Sequence, residues 1–324
     1  MLIGQPIYVS DRTKRKIAAK IARSMASRSQ NKRGITMADQ KQSPAPNPTA
    51  KTPKLKAPAG ACDCHLHIWG PQSEVPLRDD FPLKFDDALM ENYIAMADAI
   101  GVSRAVIVQS IPQGHDHRVL LRCLRAHPDR FRNVAVPAPD ASADEIDELH
   151  DAGCRGIRVA YTFSPEIPVN MIERVAARGW HAQFVVQPEK LGEWHDTMLA
   201  MPCDIVIDHM GMPLAADGVD SDHFKRVLSM AERPNVWIKL SGMDKASSGH
   251  LAPWLDTVPF AQALYKAAPD RCVWGTDWPH PGTFHTMPDE GDQLDMLLDW
   301  LPDEADRHKV LVANPARLYD FPHI

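Results

Sequence analysis

Three histidines and one aspartate, placed in three short polar clusters, are the residues of this sequence best suited to chemistry. His65 and His67 lie in CDCHLH, His209 in IDHMG and Asp277 in WGTDWPHP. Imidazole and carboxylate groups can take a proton from water, stabilise a developing negative charge or bind a divalent metal ion. Each cluster ends a short apolar run of the kind that forms a β-strand.

The elements that position these side chains are therefore predicted to be strands. His65 and His67 are two residues apart, so they point to the same face of their strand. In a barrel of parallel strands the carboxyl ends of all strands open onto one face, where groups distant in sequence converge on one bound molecule. The sequence thus predicts one pocket lined by all four residues.

From residue 61 onward, β-branched runs alternate with segments compatible with helices, several of which stop at a glycine such as Gly101, Gly153 or Gly179. This alternation predicts parallel strands joined by crossover helices. The sequence contains eight such runs, and eight parallel strands are the number that closes an α/β (β/α)8 TIM barrel. The runs are 61–68, 105–109, 133–137, 156–160, 182–187, 204–208, 235–241 and 271–276. An open doubly wound sheet is the alternative, but the nucleotide-binding glycine motifs typical of that fold are absent.

Composition and charge restrict the class of protein. The 324 residues contain no apolar stretch of eighteen or more, which argues against a membrane span and predicts a cytoplasmic protein, a monomer or small homo-oligomer. Residues 1–57 carry thirteen Lys or Arg against two acidic residues, but the only aromatic residue among them is Tyr8, so no nucleic-acid partner is expected. We expect a disordered, Pro-rich tail over 1–57, with Met37 as an alternative start, and a single barrel domain over 58–324.

The polar clusters together resemble the amidohydrolase superfamily, whose pattern is H-x-H on strand one, histidine after strand six and aspartate after strand eight. The stretches ACDCHLHIWGP, GCRGIRV, IVIDHMGMP and VWGTDWPHP look more narrowly like the branch that contains 2-pyrone-4,6-dicarboxylate hydrolase, 4-sulfomuconolactone hydrolase and sugar-acid lactonases. The resemblance covers roughly residues 58 to 320. It implies a hydrolase that opens a small anionic lactone with activated water.

The resemblance also implies roles for individual residues. Asp277 would be the general base, and His65, His67 and His209 would polarise the lactone carbonyl. Arg158 is predicted to anchor the substrate, because a planar guanidinium matches a carboxylate or sulfonate with two parallel hydrogen bonds. Three further substrate-binding candidates are Gln109, Lys245 and His280.

The metal requirement stays open at this stage. If one divalent ion such as zinc is bound, His65, His67 and Asp277 are the expected ligands. Metal-binding members of the family add a ligand from strand four or five, where this chain has Arg158 and Gln187, neither an ordinary zinc ligand. This incomplete set favours a reaction without metal.

The sequence departs from the 2-pyrone-4,6-dicarboxylate hydrolases at several polar positions, which here are Ile111, Val185 and Gly282. Loss of polar contacts with retention of the hydrolytic groups favours a different lactone. We predict 4-sulfomuconolactone, opened to maleylacetate plus sulfite, ahead of 2-pyrone-4,6-dicarboxylate. A sugar-diacid lactonase or lactone isomerase is the remaining alternative, while a metal-dependent decarboxylase would need a histidine in place of Gln187.

Overall fold

The computed structural model of the protein describes residues 40–160 and 166–322, and it contains an eight-stranded parallel barrel. Each strand pairs with its neighbour in chain order. The barrel closes where the backbone N–H of Asp277 donates to the carbonyl of His65 (2.7 Å) and that of His67 donates to Trp278 (2.7 Å). The predicted TIM barrel is confirmed. Its strands are β1 Cys62–Leu66, β2 Arg104–Val108, β3 Phe131–Ala135, β4 Cys154–Ala160, β5 His181–Val185, β6 Ile205–Ile207, β7 Val236–Leu240 and β8 Cys272–Trp274.

Helices cover the outside of the barrel and begin and end at residues that suit those positions. Helix α3, for example, starts with a capping box between Ser142 and Glu145 and ends at Gly153, which adopts a left-handed conformation (φ 115°). The crossover helices are α1 Met90–Ile100, α2 Arg118–Ala126, α3 Ala143–Ala152, α4 Val169–Ala176, α5 Pro188–Leu199, α6 Asp222–Ala231, α7 Val258–Ala267 and α8 Glu290–Trp300. Shorter helical segments are Met243–Ala246, Glu304–His308, the π-helical Lys309–Ala313 and Asn314–Tyr319.

The first strand carries a β-bulge that directs the predicted histidines. Asp63 pairs with Ala105 and Leu66 with Ile107, so two residues of β1, Cys64 and His65, stand opposite one residue of β2. Cys64 packs in the inner apolar core, whereas Asp63 bonds to Tyr93 of α1 on the outside. With strict alternation His65 would share the outer face with Asp63. The extra residue instead turns His65 inward, a common use of bulges beside active sites.

The N-terminal segment differs from the disorder predicted for it. Residues 1–39 lie outside the described residues, but residues 41–55, here called the N-terminal strap, follow the barrel along the loop after β8 and α8. Backbone N–H groups of Lys51 bond to Asp289 (3.1 Å), and those of Lys54 and Leu55 to Asp295 (2.7 and 2.8 Å). Prolines lower the conformational entropy lost on ordering such a segment, and these carboxylates satisfy its backbone donors without a sheet.

The strap belongs to the large compact unit of the chain, residues 41–78 and 83–324. At its start Lys41–Gln42 forms a short parallel pair with Leu83–Lys84. Outside this unit, the Gln40 side-chain amide donates to the carbonyls of Asp79 and Phe81. Among the described residues, no helix has the length and apolar character needed to cross a bilayer.

Candidate active site

Asp277 lies at the centre of the three predicted histidines. Its Oδ1 atom is 3.4 Å from His67 Nε2, 3.6 Å from His65 Nε2 and 4.0 Å from His209 Nε2. All four residues are buried. The structure therefore brings together the four groups that the sequence selected, at the carboxyl end of the barrel.

Hydrogen bonds and close packing fix the backbone that follows β8 and carries Asp277. Asp277 itself has a positive φ of 66°. The buried Asp63 carboxylate accepts from both the backbone N–H (3.0 Å) and the hydroxyl (2.6 Å) of Thr276. A Cβ atom at Gly275 would lie 2.7 Å from the Cβ and backbone N of His65, so only glycine allows this strand to approach β1 so closely. These contacts fix the distance between His65 and Asp277.

Hydrogen bonds at the Nδ1 atoms orient the other two imidazoles. His67 Nδ1 lies 2.7 Å from the carbonyl oxygen of Val108, which can only accept, so His67 carries its proton on Nδ1 and presents a bare Nε2 when neutral. His209 Nδ1 lies 3.0 Å from the Ser241 hydroxyl. The next residue, Gly242, has a φ of 70°, and a Cβ there would be only 2.9 Å from the His209 Cβ.

Burial and neighbouring charge divide the site into neutral imidazoles and an ionised carboxylate. Burial lowers the pKa of His65, His67 and His209, and nearby carboxylates oppose it only in part. Burial alone would raise the pKa of Asp277, but the positive charge of Lys245 opposes this most strongly, and that pKa lies well below its usual range. At neutral pH the site thus holds a carboxylate among uncharged rings.

Lys245 fixes one oxygen of this carboxylate. Its Nζ atom lies 2.5 Å from Asp277 Oδ2 and 3.6 Å from Asp244 Oδ2. Burial would lower the Lys245 pKa, but the two aspartates raise it above its usual value. Lys245 therefore stays protonated beside Asp277 Oδ2, and Oδ1 remains directed at the imidazoles.

The residues present fit a divalent metal ion. Ligand atoms of His65, His209 and Asp277 all lie within 4.8 Å of one another. His65 Nε2 is buried without a hydrogen-bond partner among the described residues, and the bare Nε2 of His67 faces the Asp277 carboxylate. Acceptor atoms that face each other are stabilised by a cation or a donor between them. The cluster contains His209, whereas the sequence-based ligand set contained His67.

Arg158, on β4, is the second charged feature of the site. Its side chain is 8% exposed and donates from Nη1 to the carbonyl oxygen of Gln109 at 2.7 Å. Among the described residues no carboxylate forms an ion pair with it. It is near enough to the imidazoles to lower the pKa of His67 and His209. A buried guanidinium that has no direct ion-pair partner among the described residues favours binding of an anion.

Two other residues predicted to contact the substrate, Gln109 and His280, bind to other parts of the protein instead. The Gln109 side chain donates to the carbonyls of Gly114 (3.0 Å) and Asp116 (3.2 Å) and accepts from the Val136 backbone (2.6 Å). Its side chain holds the neighbouring loops, while its carbonyl oxygen positions Arg158. His280 Nε2 lies 3.0 Å from Glu290 Oε1 of α8, and both side chains are buried.

Three buried polar residues on the side of His65 away from Asp277 were not predicted from the sequence. Asp208 Oδ1 lies 3.3 Å from His65 Nδ1, and Lys239 and Gln183 complete a buried group around Asp208. A signal was present, since Lys239 interrupts the otherwise apolar run VWIKL and Gln183 the run HAQFV. A charged or amide side chain in such a strand can point into the barrel interior only where polar or charged side chains there compensate its burial.

Comparisons with known proteins agree with this geometry. The sequence profile described as "Amidohydrolase" (Amidohydro_2) matches residues 62–321. A 2-pyrone-4,6-dicarboxylate hydrolase of Comamonas testosteroni is 37% identical over 281 residues, which cover 82% of this chain and 92% of the relative. A 4-sulfomuconolactone hydrolase of Rhizobium radiobacter is 35% identical over 289 residues, 85% of this chain and 96% of the relative. A solved structure from Agrobacterium tumefaciens has a TM-score of 0.74 at 25% identity and covers 84% of this chain and 100% of that one.

Proposed function

The chain belongs to the amidohydrolase family, and we propose that it hydrolyses a small anionic lactone with water activated by Asp277. The observation that carries this proposal is the position of Asp277 Oδ1, which lies within 4.0 Å of Nε2 of all three imidazoles. Named lactone hydrolases at 35–37% identity support the same reaction class.

In the proposed reaction Asp277 Oδ1 takes a proton from water, whose oxygen attacks the lactone carbonyl carbon. The ring C–O bond then breaks, and the proton returns from Asp277 to the departing ring oxygen. Lys245 holds Oδ2, so the same carboxylate oxygen serves in both steps. Opening the ring adds one water molecule to the substrate. In 4-sulfomuconolactone the opened carbon carries both the resulting hydroxyl and the sulfonate, so the C–S bond then breaks, sulfite leaves with the electron pair, and the hydroxyl loses its proton to become the ketone of maleylacetate.

The three histidines differ in what they can do. Neutral His67 presents a bare Nε2 and can accept a hydrogen bond from the attacking water. His209 can donate from Nε2 to the substrate carbonyl oxygen, because the Ser241 hydroxyl can donate to its Nδ1. A divalent ion held by His65, His209 and Asp277 would, when bound, supply this polarisation as a Lewis acid.

Arg158 supports an anionic substrate, because its guanidinium can bind one sulfonate or carboxylate of the lactone. Val185 and Gly282 replace polar positions of the 2-pyrone-4,6-dicarboxylate hydrolases, and this departure supports a different lactone. We therefore propose 4-sulfomuconolactone, giving maleylacetate and sulfite, as a better substrate than 2-pyrone-4,6-dicarboxylate.

The test measures loss of each lactone with the purified chain and with Asp277→Asn. We expect turnover of 4-sulfomuconolactone with sulfite release, and a kcat about 1,000-fold lower in the variant because its amide cannot act as the base. Asp196→Asn, at a fully exposed side chain, is the matched control and should leave kcat unchanged. Absence of turnover of both lactones would refute the proposal, and a product of unchanged mass formed without release of sulfite would indicate an isomerase instead.

A further inference from the structure

Lys239 is a fully buried lysine that the proposed reaction does not use. It lies in β7, and its Nζ atom is 2.7 Å from Gln183 Oε1, 3.4 Å from Asp208 Oδ1 and 3.4 Å from His65 Nδ1. His65 faces Asp277 with its other nitrogen, Nε2, so Lys239 contacts the side of the ring away from the reaction. A buried ammonium at this position needs an explanation other than substrate binding.

Gln183 and Asp208 connect Lys239 to the imidazole in a defined order. Gln183 accepts from Lys239 with Oε1 and donates from Nε2 to Asp208 Oδ2 at 3.0 Å, so its amide has one orientation. This leaves Asp208 Oδ1 facing His65 Nδ1 at 3.3 Å. Lys239 Nζ and Asp208 Oδ1 thus both contact Nδ1 of His65, and together they fix the position of the ring.

A carboxylate this deeply buried requires a compensating cation. Asp208, Lys239 and His65 are all within 1% of complete burial. Removing one partner of a buried pair leaves an uncompensated charge, whereas replacing both by apolar residues is often tolerated. The ammonium of Lys239 is the cation in contact with Asp208.

We propose, on the basis of the proposed lactone hydrolysis, that Lys239 is a positioning residue: together with Gln183 and Asp208 it fixes the His65 ring so that Nε2 is directed at Asp277. Partners of this kind, one shell behind a reacting group, typically change activity by about 10- to 100-fold. The competing interpretation is that Lys239 and Asp208 form only a structural ion pair of the barrel core.

Two variants separate these interpretations. Lys239→Met leaves Asp208 uncompensated, and we expect a lower melting temperature, a kcat about 10- to 100-fold lower and a KM within about twofold of the wild type. Lys239→Met combined with Asp208→Leu removes both charges, so thermal stability should return while kcat stays low, because no charged side chain then holds His65 Nδ1. Lys225→Met, at an exposed lysine, is the control and should change neither quantity.

Nitrogen-15 NMR of the histidine side chains provides a readout that does not need turnover. The signal of His65, assigned by its loss in His65→Gln, should show one fixed distribution of the proton between Nδ1 and Nε2 in the wild type and a different distribution in the double variant. If the double variant recovers kcat together with stability, or keeps the wild-type His65 signal, Lys239 is structural only and the proposal is overturned. If no lactone is turned over, the NMR result still decides the positioning role.

Discussion

The two ends of the barrel each bury a strand histidine, but the surroundings of the two rings differ. His65, at the carboxyl end of β1, has Asp208 and Lys239 at one nitrogen and Asp277 at the other. His181, at the start of β5, lies edge-on to Tyr319 with ring centroids 5.3 Å apart. Burial lowers the pKa of His181 to about 3. The two rings therefore share burial, whereas charged side chains lie near both nitrogens of His65.

The two ends are also closed by opposite parts of the chain. At the amino end, Tyr319 of the last helix and Phe321 pack with inner core residues such as Cys62 and Val106. At the carboxyl end the strap contacts the loop that follows Asp277: the Ser43 hydroxyl accepts from Gly282 N–H at 3.0 Å, and Asn47 donates to the Pro288 carbonyl at 2.8 Å. The amino end is filled by apolar side chains, whereas the carboxyl end carries the polar site residues and is contacted from outside by the strap.

Exchanging each histidine for glutamine should give the largest difference between the ends. We expect His65→Gln to lower kcat about 100- to 1,000-fold, because it removes a group directed at Asp277. His181→Gln should change kcat by less than about twofold. Steady-state kinetics with the preferred lactone measure both, and equal losses would show that the two ends are not functionally distinct.

Arg155 and Arg158 allow the same comparison along a single strand. Arg158→Met should raise KM about 30- to 100-fold, since a charge-assisted hydrogen bond to the substrate anion is worth roughly 2–3 kcal/mol. Arg155, near the start of β4, pairs with Asp320 at 3.0 Å, so Arg155→Met should leave KM unchanged. An unchanged KM in Arg158→Met would show that Arg158 does not bind the anionic group of the substrate.

Deleting parts of the N-terminus tests the bracing of the carboxyl end. A chain without residues 1–57 loses the strap, and we expect a melting temperature lower by about 5–10 °C from the loss of roughly 3 kcal/mol of hydrogen bonds and burial. A chain without residues 1–39 keeps the strap and serves as the control. Differential scanning calorimetry compares them, and identical melting temperatures would mean that the strap does not stabilise the loop.

The barrel and the four central residues were predictable because their signals are local. An apolar run identifies a strand, and a polar cluster at its end identifies the face where all strands open. His65, His67, His209 and Asp277 follow from that rule without knowledge of any contact between them.

Other features depend on contacts that sequence patterns do not record. The strap is Pro-rich and polar, so composition predicts disorder, but carboxylates of Asp289 and Asp295 supply acceptors from more than 200 residues away. Gln109 and His280 have the right chemistry for substrate binding, yet the structure pairs Gln109 with loop backbone and His280 with Glu290. The role of Lys239 required the positions of Gln183 and Asp208, which lie on two other strands.

The bulge in β1 gives that strand one residue more than its neighbour requires. Removing Cys64 would leave His65 alone opposite Val106, so Asp63 would stay outward, both histidines would stay inward and the strand would become regular. A regular strand in another (β/α)8 scaffold could therefore present the same two imidazoles without the additional residue. A substitution scan would not detect this dispensable position, whereas a scan of single-residue deletions would.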